Sequence, residues 1–222
     1  MIEAQTRDTW NLRNQARESG VQISEPAFFY KMANNDIEIE IKVPLDKDEF
    51  FVVKEKLEKI AKFVKDSSQR DAYFTPVHRN FVEPAYPFEW LSIRKRAGKC
   101  IINYKHFYPE NVETFTHCDE FETEIPKAEQ LEKIFLALNL RTLVTVEKQR
   151  KTYLYSDEFE IALDTVKELG HFIEIEAIKD FGSVEETRKK LFEFAKALEI
   201  DISKTDKRGY PYLLMAKKGL IK

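Results

Sequence analysis

The most regular stretch of the chain alternates strictly: Ile37, Ile39, Ile41 and Val43 are apolar, while Glu38, Glu40 and Lys42 between them are charged. A period of two is the mark of a β-strand with two unlike faces. If the apolar face packs against helices, the charged face looks onto something wet and polar. Two carboxylates and a lysine in register therefore predict a lined cavity that holds cations.

The same unit recurs twice. The first copy continues through Pro44-Leu45-Asp46 into a predicted helix over 48–64, with Phe50, Val53, Leu57, Ile60 and Ala61 on one stripe. In the second, Glu120–Ile125 is followed by Pro126 and a helix over 127–139 carrying Leu131, Ile134, Phe135 and Leu138. The third runs from Phe172–Glu176 through a turn at 180–183 to a helix over 184–199 with Val184, Leu191, Phe194, Ala195 and Leu198. Further strands are expected at 71–75, 90–96, 100–107, 144–155 and 158–165, and a last helix over 203–217. The proline-bearing gap 76–89 reads as a long loop and a candidate lid. Many strands joined by short turns predict an α+β fold, a mostly antiparallel closed sheet with helices packed outside. Residues 1–35 stand apart as a polar, weakly helical N-terminal extension that ends in Phe28-Phe29-Tyr30, leaving 36–222 as the folded domain.

Composition narrows the function classes. The 222 residues are 43% hydrophobic and 34% charged, which suits a soluble globular chain. With 36 basic and 39 acidic side chains the net charge is −3, so the whole molecule offers no field for nucleic acid or an anionic membrane. Any anion site must be local. Cys100 and Cys118 form no zinc or disulfide pattern, and no apolar run nears the roughly 18 residues of a membrane span. Residues 1–24 lack the apolar core of a secretory signal, so a cytoplasmic protein is expected.

The basic residues alternate like the acidic ones: Arg94 with Arg96, Lys148 with Arg150, and Lys105 on a third strand. A barrel interior receiving these together with Glu38, Glu40, Lys42, Asp164, Glu174 and Glu176 would be crowded with both signs. Desolvating so many charges costs several kcal/mol each unless partners are well placed. A solvated polyphosphate site resolves the crowding: cationic side chains bind phosphate oxygens, and carboxylates hold Mg²⁺ or Mn²⁺ that bridge to the same phosphates. The glycine-rich phosphate loops are absent, and His78, His106, His117 and His171 have no metal-ligand spacing, so the grip must come from side chains. Glu120, Glu122 and Glu124 read as structural, or as partners for interior bases. Asp71 and Tyr73 read as a turn residue and a core aromatic.

Taken in order, these motifs resemble the CYTH, or triphosphate tunnel, superfamily, and most closely its class IV adenylyl cyclase branch. The resemblance rests on Glu38-x-Glu40-x-Lys42, Asp71-Ala72-Tyr73-Phe74, Trp90–Arg94, Asn103-Tyr104-Lys105, Glu120-Phe121-Glu122-Thr123, Lys148-Gln149-Arg150, and above all Leu163–Glu176 with its Leu-Asp-x-Val-x-x-Leu-Gly-x-Phe-x-Glu-Ile-Glu pattern. It spans about 37 to 215. It implies an eight-stranded antiparallel closed barrel, a tunnel for a triphosphate. Lys42, Arg94, Arg96, Lys105, Lys148 and Arg150 would grip phosphates. Glu38, Glu40, Asp164, Glu174 and Glu176 would serve as metal-side carboxylates. Ser92 departs from the pattern, standing where an arginine is expected, and Arg96 on the same face is the candidate substitute. The implied activity is divalent-metal-dependent: conversion of ATP to cyclic AMP and pyrophosphate, with hydrolysis of thiamine triphosphate or tripolyphosphate, Lys148 acting as base, as one alternative and non-catalytic triphosphate binding as another. A small-molecule triphosphate is the expected partner, with a homodimer as the candidate assembly.

Overall fold

The protein is described by a computed structural model covering residues 37–96, 98–205 and 208–221; the N-terminal extension lies outside the described residues. Among the described residues nine antiparallel segments form one sheet: β1 (Ile37–Glu38), β2 (Glu40–Leu45), β3 (Lys62–Pro76), β4 (Glu89–Arg96), β5 (Lys99–Tyr108), β6 (His117–Ile125), β7 (Leu140–Tyr155), β8 (Phe159–Val166) and β9 (Gly170–Ala177). Their order is β1-β6-β5-β4-β3-β7-β8-β9-β2. The two ends of that order are halves of one strand. β1 pairs with β6, β2 pairs with β9, and Ile39 alone separates them, its carbonyl accepting the Ala177 amide at 3.0 Å. The sheet thus closes into the expected eight-stranded barrel, counted as nine because its first strand changes partner.

Among the described residues four helices cover the outside: α1 (Lys47–Ile60), α2 (Ala128–Ala137), α3 (Val184–Ala197) and α4 (Gly209–Lys217). Asp46 starts α1 with a reciprocal capping box: its carboxylate accepts the Glu49 amide and Glu49 accepts the Asp46 amide, both at 2.8 Å. Phe50, Val53 and Leu57 lie on the buried face of α1, packing with Ile41, Val43, Ile173, Ile175 and Leu191. Ser183 caps α3 by accepting the Glu186 amide at 3.1 Å. Smaller clusters seat α4 through Tyr210, Leu214 and Met215, and α2 through Ala128 and Phe135. The β8–β9 hairpin turns at Gly170, whose φ of +103° only glycine adopts without strain.

Several boundaries differ from expectation. α1 ends at Ile60 because the chain passes straight into β3, and Ile60 is half exposed rather than on the packed stripe. β3 begins at Lys62, not Asp71; its first half pairs with β7 alone and is mostly solvent-exposed, so no apolar alternation marks it. The expected last helix is a short 3₁₀ turn, Ile202–Lys204, followed by α4. The 77–88 segment is pinned: Phe81 is buried, its amide donates to Thr75 Oγ1 at 2.8 Å, and Arg79 pairs with Glu89 at 3.0 Å. No helix among the described residues is long and apolar enough to cross a membrane.

Candidate functional site

Because the barrel strands alternate in facing, their inward positions project into one lumen. Register shows how the charges meet. Lys42 lies opposite Glu174, Arg150 opposite Asp164, Asp71 opposite Arg94, and Lys105 opposite Glu120. Asp164 is fully buried, and Glu38, Lys42, Asp71, Arg94, Glu120, Lys148 and Glu174 are nearly so.

One group of contacts centres on Asp164. Arg150 grips it with two parallel bonds, Nε to Oδ1 at 2.7 Å and Nη2 to Oδ2 at 2.5 Å, and also reaches Glu174. Lys148 Nζ donates to Asp164 Oδ2 at 3.2 Å, and the Tyr210 hydroxyl donates to the same oxygen at 2.9 Å. Lys42 meets Glu174 at 2.9 Å and Glu40 at 3.7 Å. The Tyr210 ring lies beneath both lysines, 4.5 Å from Lys42 Nζ and 4.8 Å from Lys148 Nζ. A second group centres on Glu120, which accepts from Arg94 at 3.0 Å and from Asn103 at 2.7 Å, with Lys105 at 3.6 Å. Lys105 also donates to Glu38, whose other neighbour is the Cys118 thiol at 3.3 Å.

These surroundings reset the acidities. Burial opposes the charges on Asp164 and Glu174, but Arg150 and the lysines outweigh it and hold both carboxyls below their ordinary range. Burial likewise opposes Lys42, yet Glu174 and Glu40 keep it above its usual value. Lys148 goes the other way: burial, then Arg150, bring it down to about 8 despite Asp164. Glu40 is raised, chiefly by burial and further by Glu38 and Glu174, against the pull of Lys42 and Lys105. A carboxyl in that state gains from a cation placed beside it.

The network leaves polar atoms over. Asp71 Oδ1, Gln69 Oε1, Ser92 Oγ, Thr152 Oγ1, and Nε of both Arg94 and Arg96 are buried without a partner among the described residues. Unmade buried hydrogen bonds cost about 1–3 kcal/mol each, so a cluster of them in one lumen fits a site built for a polar ligand. The donors around Glu38, Glu40, Glu174 and Glu176 are hard oxygens, which suit Mg²⁺ or Mn²⁺. Among the described residues no three acidic, histidine or cysteine side chains converge as a ready-made metal cluster. The donor set therefore fits an ion held by one or two carboxylates that completes its shell with phosphate oxygens and water.

All eleven expected site residues lie on strands facing the lumen, but they do not form one cluster. Lys42, Lys148, Arg150, Asp164 and Glu174 are in mutual contact, and Glu38, Arg94 and Lys105 form the second group. Arg96 stands beside Asp71 at 3.8 Å, and Glu176 lies opposite Glu40 in the β2–β9 register. Glu120 is a partner for interior bases, as expected, whereas Glu124 is exposed on Lys99. Sequence reasoning missed Asn103, Tyr210 and the interior placement of Asp71. Asp71 carried a signal, since it shares an alternating face with Gln69 and Tyr73. Tyr210 sits on a helix, where the period-two alternation that marks the lumen does not reach; its place in the Gly209–Leu214 stretch, which also resembles the family's last helix, gave it no interior role.

The CYTH domain family profile matches residues 36–210. The chain belongs to the CYTH domain family. Among solved structures, this CYTH chain is similar to the Pyrococcus horikoshii OT3 protein PH1819, 28% identical with TM-score 0.68, covering 81% of this chain and 99% of that one. It is similar also to PH1012 from the same organism, 27% identical with TM-score 0.65, covering 79% and 98%. An adenylate cyclase candidate from Vibrio parahaemolyticus shares the fold at 20% identity and TM-score 0.64, covering 80% and 97%. No curated protein matches the chain.

Proposed function

We propose that this CYTH protein is a divalent-metal-dependent enzyme that hydrolyses an organic triphosphate inside the charged lumen. The observation that carries the reading is the placement of Lys148, buried in the lumen with Nζ 3.2 Å from Asp164 Oδ2 and set among phosphate-compatible cations, where burial and then Arg150 bring it down to about 8. Near neutral pH an appreciable fraction of it is an uncharged amine, which a general base requires. Arg94, Arg96, Lys105, Arg150 and Lys42 would bind phosphate oxygens, exchanging some of their carboxylate contacts for them. Glu38, Glu40, Glu174 and Glu176 would hold Mg²⁺ or Mn²⁺, which would supply Lewis-acid neutralisation of the phosphate charge and of the leaving group. Asp164, with Arg150 and Tyr210 upon it, fixes Lys148 in place. Lys148 Nζ accepts the proton of the attacking water as the new phosphorus–oxygen bond forms, and the bridging bond to the diphosphate breaks.

A second reading is the cyclase reaction, in which a ribose 3′-hydroxyl attacks the α-phosphorus and pyrophosphate leaves. The Leu163–Glu176 pattern favours it. The Hippeastrum protein HpAC1, a candidate adenylyl cyclase of the same fold at 19% identity and TM-score 0.56, is described as having a dominant triphosphatase activity, which illustrates how one such lumen can serve hydrolysis. Chromatography of the products from ATP and thiamine triphosphate with Mn²⁺, at pH 6 to 9, tests the choice. Orthophosphate release that rises through pH about 8 and is lost in Lys148→Met supports hydrolysis. Cyclic AMP with pyrophosphate as the main products would install the cyclase reading instead.

A further inference from the structure

Where the first strand leaves β6 for β9, the barrel wall parts, and a cavity of about 50 Å³ reaches Glu38, Glu40 and Lys42 from the side. Its other wall is aromatic: Phe107, Phe115 and Phe192. Outward it shares His117, Arg188 and Phe192 with a groove of about 910 Å³ along α3, so a planar ring larger than the inner cavity has room to extend. Arg188 stands at the junction. Its Nη1 donates to the carbonyls of Phe115 at 3.2 Å and Thr116 at 3.3 Å, and its guanidinium carbon is 5.4 Å from the Phe192 ring centroid. It is half-buried and has no carboxylate partner among the described residues. Burial holds its pKa below the ordinary arginine range, and Glu185, Glu186 and Glu193, which line the same groove, form no ion pair with it.

An arginine anchored by Nη1 on two backbone carbonyls and held over a phenyl ring keeps its Nε and Nη2 donors directed away from that anchor. We propose that this cavity and groove form a nucleobase subsite, with Arg188 reading a base edge that offers two acceptors, so that the substrate is a nucleoside triphosphate and a 6-oxopurine is preferred over adenine. The proposal rests on the reading that the lumen holds the triphosphate. The phenyl wall supplies stacking, which every base accepts. The donor-only guanidinium matches O6 and N7 of guanine, whereas adenine sets an amino group beside its single N7 acceptor. The cationic thiazolium of thiamine would face Arg188 with like charge, and bare tripolyphosphate would leave the aromatic wall unused.

Calorimetric titration of GTP, ATP and tripolyphosphate with Mn²⁺ into the wild-type chain, Arg188→Ala and Phe192→Leu tests this. The wild type is expected to bind GTP roughly 10-fold or more tighter than ATP. Arg188→Ala should erase most of that difference, Phe192→Leu should weaken both nucleotides, and tripolyphosphate binding should be unchanged in both variants, which also shows that they fold. Equal affinity for the three ligands, a nucleotide preference that Arg188→Ala leaves intact, or a loss that includes tripolyphosphate would each overturn the subsite while the lumen reading stands. If the wild type binds none of the three, the lumen reading itself fails, and the subsite with it.

Discussion

Replacing Arg150 with methionine keeps apolar bulk and removes the guanidinium that holds Asp164 by two bonds and Glu174 by a third. The two carboxylates would then share Lys42, Lys148 and Tyr210 alone. With Asp164 fully buried, Glu174 nearly so and the Arg150 side chain only 13% exposed, this is loss of one partner from a buried ion pair, about 3–5 kcal/mol. At about 2–4 °C per kcal/mol for a chain of this size, Tm should fall by roughly 6–20 °C at pH 7. The pH dependence follows from the sign of the shifts. In the wild type both carboxyls are held below their unfolded values, so the stability they contribute is present above the unfolded pKa and is lost as pH falls through the folded one. Without Arg150, burial dominates and raises them, so the variant folds with proton uptake and recovers stability on mild acidification. Thermal melts followed by circular dichroism at pH 7 and pH 4.5 should therefore show the gap narrowing. A Tm within about 2 °C of wild type at pH 7, or a gap that widens on acidification, would show that Arg150 does not hold the two carboxylates.

Tyr210→Phe removes the hydroxyl donor to Asp164 but keeps the ring beneath the two lysines, and should cost about 1.5–3 kcal/mol in urea unfolding. Glu40→Gln should leave the ligand-free protein as stable as wild type or more so, because the carboxyl is already raised by burial, while the Mn²⁺ concentration needed for half-maximal triphosphate stabilisation in thermal melts rises about 10-fold or more. Leu57→Ala, at a fully buried position in the α1 core, should cost about 2–5 kcal/mol by chemical denaturation with triphosphate affinity unchanged.

The barrel and its lumen were legible where the alternation is strict. Glu38-x-Glu40-x-Lys42, Lys148-x-Arg150 and Glu174-x-Glu176 each fix a strand and its inward face at once, because a period of two assigns every side chain to one side. Lys62 to Arg70 was not legible: both faces of that half of β3 are largely wet, so its strand state comes from pairing with β7 rather than from a pattern in its own residues. The interior roles of Asn103 and Tyr210 depend on tertiary placement. Asn103 is neutral between charged neighbours, and Tyr210 reaches Asp164 only because α4 seats against the sheet through Leu214 and Met215. Arg188 is likewise unremarkable in sequence, one cation among several on α3, and gains its place only where that helix meets the start of β6.

The lumen is proposed to bind a triphosphate together with a divalent ion. Isothermal titration of tripolyphosphate into the wild-type chain and into a Glu38→Ala/Glu40→Ala double variant, each with Mn²⁺ and with a chelator, tests it most directly. One site per wild-type chain is expected, tightened about 10-fold or more by Mn²⁺, with the metal-dependent gain lost in the double variant. No binding to the wild type, or a metal-dependent gain that survives loss of both carboxylates, would contradict it.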